Sequence, residues 1–348
     1  MNTIELPALS GDTPLGFLAA LGLLRLLDMY TDDTPRLSWS PSNLTAQLHT
    51  TCTDIDDIVR KLKTIVEEKI SAPSVLPGIS VEFPPNPSAK NTASDIAKST
   101  TEENTEKKKK EGDAGDPLRL SPSELRSFIK TIASEPDAEI EAWLTSLVTD
   151  ISVDEKGRSS ISLMAAPSGR QTMYSMLSTS LVGQTSREKS IPCIKDDPKR
   201  FFREALDAWQ RYAGVTGEYL DHQVLYSAAD SFDGQSSERG VPGATWLALM
   251  SFPLFRTTAS GTQPVTTCWY RRTNGSLVFA YPLWDIPLDQ YAIAALLEHP
   301  LIQQCIDGEV SAELKVLGVF TVERALRRSV LGRKFAGALK HVPQQYHV

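Results

Sequence analysis

Residues 6–28, LPALSGDTPLGFLAALGLLRLLD, place apolar side chains on every side of a helix and interrupt them with one cation, Arg25. Such a stretch must be covered all round, so it fixes the centre of whatever the chain builds. The apolar run from Pro14 to Leu27 is shorter than the roughly 20 residues that cross a bilayer, and Arg25 would lie inside it, so no membrane span is expected. A secretory signal carries its positive charge ahead of the apolar core. Here Glu5 and Asp12 precede it and Asp28, Asp32 and Asp33 follow, so no cleaved leader is expected either. Asp12 or Thr13 is suited to cap the first free amides, and Pro14 fits the first helical position, which needs no amide hydrogen. Gly16, Ala19, Ala20 and Gly22 lack bulk and let a neighbouring element approach closely.

The segments TIELPAL before this helix and RLSWSPSNLTAQLHT after it alternate like strands, and DIDDIVRKLKTIVEEKI is amphipathic. Residues 1–83 therefore read as an N-terminal β-α-β-β-α unit. Between Pro84 and Pro117 large apolar side chains nearly vanish. Six lysines there face seven acids, so the run Lys107 to Lys110 is locally neutralised and residues 84–117 read as a disordered charged linker. Residues 118–348 form a larger mixed region that either stands apart or shares one core with the first unit. It opens with helices in SPSELRSFIKTIA, where Ser121 and Glu124 have capping-box spacing, and DAEIEAWLTSLVTD. A hairpin in ISVDEKGRSSISLM follows, turning at Asp154 to Gly157. DPKRFFREALDAWQRYAG is amphipathic, with Phe201, Phe202, Ala205, Leu206 and Trp209 on its core face, and GATWLALMSFPLFRTTA is a buried helix ended near Pro253. The expected fold class is α+β, antiparallel sheet elements packed with helices.

A chain of 348 residues with 41% hydrophobic content can bury a substantial core. Its four cysteines, Cys52, Cys193, Cys268 and Cys305, form no CxxC pair and its five histidines no His-xxx-His pair. A reduced, cytoplasmic protein without structural zinc is expected. A net charge of −7 gives no global attraction for nucleic acid, so any such binding needs a local basic surface.

Three segments offer one. In AAPSGRQTMYSML, Ser168 is a candidate helix cap, Gly169 completes a turn and Arg170 falls in the first helical turn. Free amides and a guanidinium then make a phosphate seat, unless Arg170 simply points into water. In PVTTCWYRRTNGSLVFAYPLW, Asn274 and Gly275 suit a tight two-residue hairpin turn, which sets Arg271 and Arg272 near its tip while Trp269 belongs to the core. From Ser311 to Val348 seven lysines or arginines face two acids. On a helix starting near Thr321, Arg324, Arg327 and Arg328 would share one face, with Arg333 and Lys334 beyond them, as a nucleic-acid contact, a protein-docking surface or a solvated stripe.

One constellation points elsewhere. Glu218, Asp221, His222, Asp230, Asp233, Glu238 and Arg239 lie within TGEYLDHQVLYSAADSFDGQSSERG, and carboxylates beside a histidine hold divalent ions or move protons. The spacing matches no ligand motif, and loop caps or surface ion pairs use the same residues. A metal-dependent hydrolase or nuclease working from Glu218 to Glu238 is the competing reading.

The phrase PLGFLAALGLLRLL resembles the opening of large-subunit-type proteins of type I-G (formerly I-U) CRISPR systems, where a proline-leucine turn enters an ALG(V/L)LR helix. The blocks LVTDISVDEKGRSSISLMAAPSGRQTMYSML, TGEYLDHQVLYSAAD and ERGVPGATWLALMSFPLFR are similar to an accessory group of the same subtype, described as an extension of the CRISPR helicase-nuclease. The chain has neither the Walker loop of the helicase nor the paired His-Asp motif of the nuclease. The resemblance implies a non-enzymatic, cofactor-free part of an antiviral interference complex. Its partners would be other effector subunits or the helicase-nuclease, with guide RNA or target DNA as the nucleic acid. A pure protein-docking adaptor is the remaining alternative.

Overall fold

The apolar segment folds as α1 (Pro14–Tyr30) in the computed structural model of the chain, with Thr13 capping the Gly16 amide and every residue from Pro14 to Leu27 buried. The structure describes residues 1–86, 118–132, 137–167, 171–183, 185–186, 189–225, 238–272, 274–306, 310–328 and 337–343. Most of the expected linker, residues 87–117, lies outside them. Among the described residues no helix is long and apolar enough to cross a membrane.

The chain is α+β, with α1 between two antiparallel sheets. Strands β1 (Asn2–Ser10), β2 (Arg36–Trp39) and β3 (Thr45–Thr50) form the first in the order β1-β3-β2, and α2 (Ile55–Glu68) completes the N-terminal unit. Helices α3 (Pro122–Ile132) and α4 (Ala138–Leu147) lead to the hairpin of β4 (Val148–Val153) and β5 (Ser159–Ile161), whose turn has Gly157 at φ +72°. Ser121 and Glu124 make their expected reciprocal bonds at the start of α3.

Helices α5 (Met173–Val182), α6 (Pro198–Leu206) and α7 (Pro242–Met250) follow, with two minimal ladders, β6 (Thr185–Ser186) with β7 (Lys189–Ser190) and β8 (Tyr212–Ala213) with β9 (Arg239–Gly240). The hairpin of β10 (Thr257–Ser260) and β11 (Gln263–Thr266) precedes the second large sheet. That sheet runs β12 (Trp269–Arg271), β13 (Leu277–Trp284), β14 (Val319–Arg328) and β15 (Ala338–His341) in chain order, with α8 (Gln290–Leu297) inserted before β14.

One continuous core runs from Leu6 to Leu339. Helix α1 lies so close to α7 that a Cβ on Gly22 would sit 1.7 Å from the Leu247 carbonyl oxygen, which is why this face carries small residues. Phe17 stacks on Tyr281 of β13 at 4.2 Å between ring centres and on Trp39 of β2 at 5.8 Å. Trp284 donates to the Leu37 carbonyl, and Leu37 pairs with Leu288, so the first sheet is tied to the end of β13. Arg25, buried in α1, ion-pairs with Glu139 of α4, donates to the Met250 carbonyl and lies over Trp143. It answers the cation's presence in an apolar helix.

Three local expectations change. The segment from Thr321 is a strand. Val319, Val322 and Ala325 are buried against β13 over the register Val278↔Leu326 to Trp284↔Val319, and that non-local pairing outweighs the helical spacing of the arginines. Arg324 and Arg328 consequently share one face of β14 and Arg327 points to the other. The helix expected to start on a Ser168 cap starts four residues later, at Met173, where Thr172 and Ser175 form a reciprocal capping box. In the β12–β13 hairpin the Arg272 amide donates to the Ser276 carbonyl, closing a loop one residue longer than expected, with Gly275 at φ +81°.

Candidate nucleic-acid interface

Asp154, at the β4–β5 turn, organises a basic cleft. Its carboxylate accepts the Arg119 guanidinium at 2.6 Å and two nitrogens of Arg158 at 2.8 and 2.9 Å, and it also takes the Lys156 and Arg158 amides. Partial burial alone would raise this carboxyl, but the bonds from Arg158 and Lys156 outweigh it and hold it down to about 2. Two guanidinium groups thus share one carboxylate, which fixes their planes and leaves them an excess of positive charge.

The cleft they border, about 920 Å³, is walled on its other side by the end of β14 and by β11. Five cations line it, Arg119, Lys156, Arg158, Arg327 and Arg328, against Asp154 and Glu155. Its floor is apolar, with Ile161, Leu163, Pro264, Leu277 and Leu326 half-buried.

Arg327 forms the inner wall. Its guanidinium donates to the carbonyls of Gly337, Leu163 and Met164 at 2.9, 3.1 and 2.7 Å and lies 5.4 Å from the Trp269 ring centre. Among the described residues it has no carboxylate partner, and desolvation pushes it down to about 10. Trp269 is buried, its indole donating to Met164 Sδ, so it is core and not a stacking platform.

The sequence-predicted site residues do not converge. Arg327 and exposed Arg328 line this cleft. Arg271 is exposed on the rim of a neighbouring cleft and donates to the Gly275 carbonyl. Arg272 is half-buried in the hairpin. Arg324 is turned onto backbone carbonyls, donating to Ile306 and Pro343 at 2.6 and 3.1 Å. Ser168, Gly169, Arg170, Arg333 and Lys334 lie outside the described residues. Arg119, Lys156 and Arg158 were missed as cleft residues because the turn chemistry of DEKG signals only a hairpin. Their excess charge emerges when β14 and β11 fold beside it.

Only part of the acidic constellation lies within the described residues. Glu218 is buried, with its oxygen accepting from Gln171 Nε2 at 2.6 Å. Burial raises its carboxyl to about 7 against hydrogen bonds from Gln171 and Thr216. It sits in a left-handed turn, with Gly217, Glu218 and Tyr219 at φ +60°, +49° and +55°. Asp221 pairs with Arg211 at 2.6 Å. Burial lowers His222, helped by Lys340 and Arg328 and opposed by Asp221. Asp230 and Asp233 lie outside the described residues. Among the described residues no three His, Cys, Asp or Glu side chains gather as a metal site.

Comparison with protein-family models and with curated proteins returns no match to this chain.

Proposed function

We propose that this chain is a non-enzymatic subunit of a type I-G CRISPR interference complex, gripping nucleic-acid backbone in the cleft beside Asp154 and docking partner subunits. The observation that carries the reading is the charge reversal. A chain of net charge −7 lines one cleft with five cations against two acids and gives two of those cations a single shared carboxylate. Phosphate contacts of this kind supply affinity without sequence information, which suits a complex whose guide reads the target by base pairing. The resemblance of the N-terminal helix and the central blocks to type I-G proteins supplies the system.

Fluorescence anisotropy with labelled RNA and DNA across a salt series tests it. With the rim cations Arg119, Lys156, Arg158 and Arg328 engaged, a single strand should show a slope near −3 in log affinity against log salt, about fifty-fold between 50 and 200 mM. The double variant Arg158→Glu, Arg328→Glu should abolish binding while leaving the circular dichroism unchanged. A salt-independent signal, or binding that survives the double variant, refutes the cleft. No binding to any nucleic acid, alone or with co-expressed effector subunits, leaves the adaptor reading. Strand cleavage on adding Mg²⁺ or Mn²⁺, lost in Glu218→Gln, installs the hydrolase reading instead.

A further inference from the structure

The basic cleft does not end at β11. A second cleft, of about 870 Å³, lies beside it, and Leu163, Gln263, Pro264, Trp269 and Leu277 line both, so the two share a wall that includes the β11 residues Gln263 and Pro264. The second cleft is polar in a different way. Arg256 is neutralised there by a two-pronged ion pair with Glu298 at 2.6 and 2.7 Å, whereas Arg271 is exposed and, among the described residues, bonded only to a backbone carbonyl. Thr258 and Ser260, both exposed, present hydroxyls along the same wall.

We infer that a single strand of nucleic acid runs through both clefts, crossing at Gln263–Pro264, with phosphates on Arg158 and Arg328 in the first and on Arg271 in the second. The inference rests on the proposed backbone-binding role and adds its substrate class and path. Each cleft falls in the size range of small-ligand sites, roughly 300–1,000 Å³. A duplex keeps its base faces stacked, whereas an unpaired strand can lay bases on the apolar strip of Leu163, Pro264 and Leu277, which line both clefts. That strip contains no exposed aromatic ring, because Trp269 is 4% exposed. Affinity therefore comes from phosphates and apolar contact and tolerates any sequence.

Anisotropy of the full chain with labelled oligo(dT) of about 4 and about 12 nucleotides, spanning the site sizes of single-strand binders, tests the path. The longer strand should bind at least tenfold more tightly. Arg271→Glu, at an exposed position, should remove most of that advantage, while Arg158→Glu should weaken both lengths. A blunt duplex of the longer length should bind at least tenfold more weakly than the strand.

If Arg271→Glu leaves the length advantage intact, the path through the second cleft is wrong although the first cleft still binds. If the duplex binds as tightly as the strand, the single-strand assignment is wrong and the backbone-binding role stands. If neither strand nor duplex binds but an acidic peptide does, both the path and the nucleic-acid role are overturned.

Discussion

Glu218→Gln should make the protein more stable at neutral pH, and the gain should vanish in mild acid. The wild-type carboxyl has an ordinary value of 4.5, which applies to the unfolded chain, and burial raises it to about 7 in the fold. Between those values the folded state binds more protons than the unfolded one, so the stability that the protonated carboxyl supplies is fully present below 4.5. It is lost as pH rises through 7. The accumulated loss by pH 8 is about 3 kcal/mol, from about 1.4 kcal/mol for each tenfold change in proton affinity. Glutamine is neutral at every pH, and its oxygen still accepts the Gln171 amide at 2.6 Å, so the side chain keeps its partner and sheds the titration.

Urea unfolding of both proteins at intervals from pH 4.5 to 8 reads the difference directly. The variant should gain about 3 kcal/mol on the wild type across that range, most of it between pH 5 and 7. A flat difference would mean that Glu218 is solvated in the fold, and a difference of opposite sign would mean that a cation holds it ionised. Either result removes the burial argument. The left-handed turn at Glu218 is common to both proteins and cancels.

Two further expectations concern the core. Arg25→Ala strands the Glu139 carboxylate, whose other partner is the Trp143 indole at 2.8 Å, and should cost about 3–5 kcal/mol. Arg25→Met with Glu139→Met should recover most of that, and a coupling below about 0.5 kcal/mol between the two sites in a double-mutant cycle would show that the pair does not act as a unit. Gly22→Ala sets a methyl group against the Leu247 carbonyl and should cost about 3 kcal/mol or more, because both groups belong to helix backbones that cannot yield separately. Gly261→Ala, open in space at φ +59°, should cost only about 1 kcal/mol by denaturation midpoint.

What the sequence disclosed is what local chemistry decides. Thr13 and Pro14 start α1 because a cap and an amide-free first position are properties of adjacent residues, and an apolar face all round can only be buried. Gly157 marks its turn for the same reason. The arginines of β14 misled because spacings of three and four are a helical signal in isolation. The competing term, pairing with Val278–Trp284, lies some forty residues away and cannot be seen from within the segment. The cap at Thr172 was open to discovery, since Thr172 and Ser175 have the capping spacing, but Ser168 after a proline turn offered the same local signal. The basic cleft had no local signal at all. It assembles from residues 119, 154–158, 263–264 and 327–328, which meet only once the second sheet has formed.

That assembly also explains how an acidic protein can present a cationic surface. Elsewhere on the described surface arginine and carboxylate are matched, as in Arg126 with Asp150 and Arg256 with Glu298. Such pairs cancel at a distance, and exposed ones add little to stability or to the external field. The Asp154 cleft departs from the pattern in two ways. Arg119 and Arg158 divide one carboxylate between them, and Arg327 is satisfied by three backbone carbonyls, whose dipoles meet its hydrogen-bonding needs without cancelling its charge. Because two of those carbonyls belong to Leu163 and Met164, just beyond β5, and Arg327 itself is set by β14, the positive wall is as rigid as the pairing of β14 with β13 and the packing of β13 on α1. The charge is therefore held by the core, and a ligand that meets it need not pay to order it.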